Sequence, residues 1–200
     1  MDSTPSVTPK IELQLVPDEQ LTGIECDFVK PEEIESLWPT INAMATLMSD
    51  QKGVGLAAAQ VGIQKRFFVC RFPDQPKNAF VYFNPSYKPM KSHGTVRSRE
   101  ACLSYPGKFY VVERYRRVKA TYFEWDEDRK QFHKREENMD GFKSVLFQHE
   151  TDHQNGMTIR VLGEEWVEPP KKDSIDVPAV EVEKLPTEEA TATLESVTEA

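Results

Sequence analysis

His149-Glu150-Thr151-Asp152-His153 is the stretch on which the reading of this chain turns. On a helix, residues i and i+4 share one face and lie about 6 Å apart along the axis. Two imidazoles so placed can hold one metal ion, and the Glu between them is left free to act as a general base. The chain has only four His, so a chance pairing at ligand spacing is a poor account of these two. Just upstream, Phe142, Val145 and Leu146 join His149 at helical spacing, and residues 140–153 are predicted to form the helix that carries the site.

A catalytic metal of this kind takes about three protein ligands and keeps one position open. The pentapeptide supplies two. No His follows His153, but Glu164 and Glu165 do, and they are candidates for the third. The others are Cys26, Cys70 and Cys102. An odd count at scattered positions speaks against a disulfide framework and for a reducing compartment. Cys70 ends the apolar run Phe67-Phe68-Val69 and reads as a small buried hydrophobe. Cys102 lies in Glu100-Ala101-Cys102-Leu103-Ser104-Tyr105-Pro106-Gly107, a short segment closed by a Pro-Gly turn signal.

Residues 53–62 form a third unusual segment, Gly53-Val54-Gly55-Leu56-Ala57-Ala58-Ala59-Gln60-Val61-Gly62. A G-x-G-x-x-A pattern is embedded in it, but a dinucleotide fingerprint needs a strand before it and a helix after it. Here the order is inverted. A helical pattern (Ile34, Leu37, Trp38, Ile41, Met44, Ala45, Met48) precedes it and an apolar strand follows. Small residues at this density let a backbone approach a substrate closely. Gln60 is the one polar side chain in the segment that can donate a hydrogen bond.

The remaining elements are read coarsely. Residues 31–50 are predicted as a helix, with Pro39 marking either its start or a kink. Residues 66–72 and 80–84 read as strands, and 111–125 as one long, partly alternating strand. That strand turns at Asp126-Glu127-Asp128-Arg129 into another at 131–135. The basic cluster Arg114, Arg116, Arg117 and Lys119 is interleaved with Glu113 and reads as a solvated strand face rather than a nucleic-acid surface. The plan is α+β, with antiparallel sheets around a central metal-binding helix.

Three motifs in this order resemble peptide deformylase: residues 53–60, residues 100–104 and residues 149–153. Lesser similarities lie at Val16-Pro17-Asp18, at Phe83-Asn84-Pro85 as a strand end, and at Gly156, so the resemblance spans about residues 12–162. It implies a metal-dependent hydrolase that removes the formyl group from N-formylmethionyl peptides. It also implies one divalent metal, iron(II) by family preference, held by Cys102, His149 and His153. Zinc, nickel and cobalt suit the same donors. Glu150 is then the general base, and Gln60 and the Leu103 N–H stabilise the oxyanion. Val54, Gly55, Phe142, Val145 and Leu146 line the methionine pocket together with His149. Glu100 and Arg114 match an ion pair bracing the site, and Asp152 is placed to orient a ligand. Ala101 departs from the family's Gly and would cost stability if its φ were positive. Two alternatives follow from the departures: a non-catalytic peptide binder, if Ala101 distorts the site, and a zinc endopeptidase with another third ligand.

The net charge of −8 is unevenly distributed. Residues 164–200 hold 11 Asp and Glu against 3 Lys, which accounts for all of it. The expected organisation is a catalytic domain over 1–166 and an acidic, disordered tail over 167–200. The basic C-terminal helix of many bacterial deformylases is missing from this sequence, and an acidic segment is repelled by RNA phosphate. Ribosome docking through the C-terminus and direct nucleic-acid binding are therefore not expected. With no membrane-length apolar run and a polar start to the sequence, the expected location is cytoplasmic.

Overall fold

The structure is a computed structural model that describes residues 21–75 and 78–168. All of these but Glu168 belong to one unit, Met1–Val167. The expectation of a disordered tail concerns residues that lie, save for 167 and 168, outside those described.

Helix α1 (Ile34–Asp50) is entered through a short 3-10 turn at Pro31–Glu33. Pro39 neither starts the helix nor ends it but lies inside it, so only one backbone hydrogen bond near the entry is forfeited. Ile34, Ile41, Met44 and Met48 form its buried stripe. Strands β1 (Gly55–Ala57), β2 (Phe67–Cys70) and β3 (Phe80–Pro89) follow. Next come β4 (Thr95–Ala101), β5 (Phe109–Tyr115), β6 (Arg117–Asp126) and β7 (Gln131–Asp140). Helices α2 (Gly141–Gln154) and α3 (Ile159–Leu162) and strand β8 (Gly163–Glu165) complete the order.

The strands form two antiparallel sheets, one in the order β1-β2-β3-β6-β7 and one in the order β4-β5-β8. Strand β2 shows why the larger sheet is covered on both faces. Phe67 and Val69 join the α1 stripe, whereas Phe68 and Cys70 face a cluster that includes Leu146 and Phe147 of α2. A strand buried on both faces reads as a continuous apolar run instead of alternating, and Phe67-Phe68-Val69-Cys70 does so. Cys70 is fully buried, as its sequence context suggests. Helix α2 touches β1, β2, β3, β6 and β7 of the larger sheet and β5 of the smaller. The α+β plan with antiparallel sheets around the central helix therefore holds.

Several boundaries are corrected. Residues 111–125 are not one strand: the chain leaves the smaller sheet at Tyr115 and enters the larger at Arg117. No Gly or Pro marks this joint. Asn84-Pro85 does not end its strand. It forms an irregularity in β3, with Asn84 at φ 48° and its side chain bonded to both Val29 N (2.7 Å) and Val29 O (2.9 Å). These two bonds offset the strain of a left-handed non-glycine residue, and β3 continues to Pro89. Ala101 is not among the residues of positive φ, so the methyl group carries no backbone penalty there. No described helix is long and apolar enough to cross a membrane.

Candidate metal centre

Helix α2 is buried in a way its composition would not suggest. Ser144 and every residue from Gln148 to Gln154 are buried, although most are polar. Burying such groups costs roughly 2–7 kcal/mol each, depending on the reference state, unless they find partners. Most do. Tyr115 N donates to Gln148 Oε1 (3.0 Å), and Gln148 Nε2 donates to Tyr115 O (2.9 Å). Tyr87 donates its hydroxyl to Asp152 Oδ1 (3.1 Å).

The far end of α2 is held by backbone. Gly156 follows the helix at φ 68°, and a Cβ there would lie 2.6 Å from Ile24 N, so only glycine fits. In this close approach Gly23 N donates to Gly156 O (2.8 Å) and Cys26 N to Gln154 O (2.9 Å).

His149 and His153 share one face of α2, with ring centroids 5.0 Å apart. Cys102, the residue after β4, meets them there. Its Sγ is 3.3 Å from His153 Nε2, and one ligand atom from each of the three lies within 4.8 Å of the others. All three residues are buried. Glu164 and Glu165 stay on β8, exposed and paired with Arg97 and Lys108, and do not join the cluster. Of the candidates for a third ligand, Cys102 is the one the fold brings to the two His among the described residues.

Behind the cluster runs a buried chain of charge. Glu100 accepts two bonds from Arg114, Nε to Oε1 (2.8 Å) and Nη2 to Oε2 (2.9 Å). His149 Nδ1 is 2.8 Å from the same Oε2, and Arg114 also bonds Asp152 through Nη1. Burial alone would raise the Glu100 carboxyl, but the hydrogen bonds from Arg114 and His149 win and bring it down to about 2. Arg114 is raised despite its own burial by Glu100 and Asp152, so it stays cationic. It is 3% exposed, which removes it from the solvated basic face expected for Arg114, Arg116, Arg117 and Lys119. Two buried carboxylates pull it inward, and neither is nearby in sequence.

Burial pushes Glu150 up to about 7, and its Oε2 has no protein partner. The β1 backbone runs against this carboxyl, since a Cβ on Gly55 would lie 2.1 Å from Glu150 Oε1. Burial pulls His153 well below the usual imidazole range, a direction that favours the neutral ring a metal ligand needs. Burial opposes charge on His149 too, but bonds to Cys102 and Glu100 outweigh it and raise it. The donor set suits a divalent metal. Thiol and imidazole are its borderline-soft ligands. The surrounding carboxyls of Glu100, Glu150 and Asp152 outnumber the single guanidinium of Arg114.

Gln60 is fixed from both ends. Its Oε1 accepts from Ala57 N (2.8 Å), and its Nε2 donates toward Cys102 Sγ (3.3 Å) and Ser104 Oγ (3.2 Å). The Leu103 N–H has no hydrogen-bond partner among the described residues. In front of the cluster opens a cleft of about 560 Å³. Val54, Gly55, Phe142, Val145 and Leu146 all line it, with Gln60, Cys102, Leu103, His149 and Glu150. Val54 and Phe142 are exposed at its mouth, 43% and 49%. The sequence reading did not pick out Tyr87, which meets the site through one long-range hydrogen bond for which no local pattern exists. Ser104 closes the motif at residues 100–104, but its bond to Gln60 was not foreseen.

Residues 12–161 match the polypeptide deformylase family. Peptide deformylase from Thermotoga neapolitana is 41% identical over 125 residues, covering 62% of this chain and 71% of that one. The enzyme from Chromobacterium violaceum is 35% identical over 143 residues, covering 70% and 79%. Among solved structures, peptide deformylase from Thermotoga maritima superimposes with a TM-score of 0.66 at 32% identity, covering 77% of this chain and 97% of that one.

Proposed function

The chain belongs to the polypeptide deformylase family, and from that premise we propose which of its residues carry the reaction. It is a peptide deformylase, a metal-dependent hydrolase that removes the N-formyl group from nascent peptides. The observation that carries the assignment of roles is the convergence of Cys102, His149 and His153 beside a carboxyl group with no protein partner.

Cys102, His149 and His153 hold one metal ion, which we take to be iron(II) by family resemblance. When bound, the metal supplies Lewis acidity, easing deprotonation of water near neutral pH and drawing charge from a carbonyl oxygen. Glu150 accepts the proton of the attacking water and returns it to the leaving amine. Its raised affinity for protons suits that exchange. The Leu103 N–H and the Gln60 amide donate to the oxygen that becomes negative, a contribution of about 2.7–4 kcal/mol per donor where such donors have been removed. Glu100 holds His149 through Nδ1, Arg114 holds Glu100, and Asp152 completes the brace. The methionine side chain enters the cleft between Val54, Gly55, Phe142, Val145 and Leu146. The catalytic unit is residues 1–166. Residues 167–200 add no group to it, and their acidity keeps them from docking on ribosomal RNA. The enzyme's proposed location is the cytoplasm, where nascent chains are made.

Replacing Cys102 by Ala tests the ligand set. The variant is expected to purify with well under one metal per chain and to release no formate from formyl-Met-Ala-Ser. Full metal occupancy in the variant would remove Cys102 from the set.

A further inference from the structure

Arg99 differs from the other cations around the cleft. It stands on β4, three residues before Cys102, exposed and lining the cleft. Its guanidinium lies over the Phe109 ring at 5.2 Å and over the Trp166 ring at 4.6 Å. The two rings meet edge to face at 6.1 Å, and Trp166 N donates to Phe109 O at 2.8 Å. Stacking holds the plane of a guanidinium without using its hydrogen-bond donors. Among the described residues, none of the five N–H groups of Arg99 has a hydrogen-bond or ion-pair partner. Its neighbours are already engaged: Lys108 by both oxygens of Glu165 (3.0 and 3.1 Å), Arg97 by Glu164 (3.7 Å). Lys52 lines the cleft as well, with no ring to hold it.

A planar fork fixed in place with all its donors free is a preformed receptor for a carboxylate, which it meets through two parallel bonds. We propose that Arg99 reads an acidic side chain of the formylated peptide, downstream of the formylmethionine. The inference rests on the assignment of this cleft to the peptide. Three residues of strand span about 10 Å, so an extended peptide brings its third residue, or a neighbour of it, to Arg99. The residue thus sets sequence preference beyond the methionine pocket, and Phe109 and Trp166 hold it ready.

The test measures kcat and KM of the metal-loaded, full-length enzyme on C-terminally amidated peptides, so that the side chain offers the only carboxylate. Formyl-Met-Ala-Asp-amide is compared with its Asn isostere, and the acid is then moved to the second and fourth positions. At one position Asp is expected to exceed Asn by about fivefold in kcat/KM, as for a preformed but solvent-facing pair. The effect enters through KM, because the contact is the same in ground and transition state. It shrinks in about 0.5 M NaCl. Arg99→Glu reverses it in favour of Lys peptides, and Trp166→Leu weakens it while keeping the charge. Equal rates for Asp and Asn at all three positions would overturn the proposal, as would an unchanged preference in Arg99→Gln. A preference that survives Arg99→Glu but falls in Lys52→Glu assigns the reading to Lys52 and also refutes it. A gain only with free C-terminal acids makes the chain terminus the ligand, and inhibition by short single-stranded RNA without any Asp preference makes it a phosphate; both refute it. Failure of the wild type on every peptide would instead strike the assignment of the cleft.

Discussion

Helices α1 and α2 are of similar length and both are packed against the larger sheet, yet they are buried on opposite terms. Helix α1 hides four apolar residues, Ile34, Ile41, Met44 and Met48, and leaves its polar residues toward solvent. Helix α2 hides Gln148, His149, Glu150, Thr151, Asp152, His153 and Gln154. The first gains stability from area removed from water, about 25 cal/mol per Å². The second spends stability to place ionisable groups where water does not screen them. Four of its own side-chain atoms, Glu150 Oε2, Thr151 Oγ1, His153 Nδ1 and Gln154 Oε1, lack a protein partner among the described residues. Fold and chemistry are thus carried by different helices, and substitutions should separate the two.

The sharpest separation is expected at Glu150. Glu150→Gln keeps shape and is not a metal ligand, so metal content and melting temperature should match the wild type while kcat falls by about 10²–10⁴. A variant within a few-fold of wild type would end the proton-transfer role. Arg114→Met should break the brace instead. It strands Glu100 and Asp152 as buried charges without their cation, a loss of about 3–5 kcal/mol in chemical denaturation. Activity per folded molecule should fall with it, because His149 loses its anchored partner. Met44→Ala in α1 is the counterpart: about 2–5 kcal/mol from the cavity, with kcat/KM of the folded enzyme unchanged. If Met44→Ala lowered kcat as much as Arg114→Met, the division of labour between the helices would be wrong. The smallest effect is expected from truncation after Val167, with kcat/KM within about twofold, since that region adds no group to the proposed site. A tenfold loss would make the tail part of the enzyme.

The same contrast explains what the sequence disclosed. Helix α1 was legible from apolar spacing, and α2 from spacing together with the His pair. Cys102 was one of several candidates until the fold brought it to His153. Strand β4 left no such mark. Its inward-facing residues are Val96, Ser98 and Glu100, and a polar pair on the buried face erases the period-2 apolar signal. Glu100 is tolerated inside only because Arg114, fourteen residues later, comes to meet it. Composition alone groups Arg114 with three surface cations for the same reason, and only the family resemblance pairs it with Glu100. The joint at Arg116 was missed because both flanking strands carry alternating apolar residues and nothing in the composition changes between them.

The backbone clasp at Gly156 has a consequence for the order of events in folding. The carbonyls of Gln154 and Gly156 are answered by amides of Cys26 and Gly23, some 130 positions earlier in the chain. A contact so distant in sequence cannot form until residue 156 has been made, and it closes late because its loop entropy falls due before any reward. The end of the helix bearing both histidines is therefore fastened by one of the longest-range contacts in the fold. Although Gly23 and Cys26 stand near the start of the described chain, where fraying is ordinary, their amides should exchange with deuterium only on global unfolding.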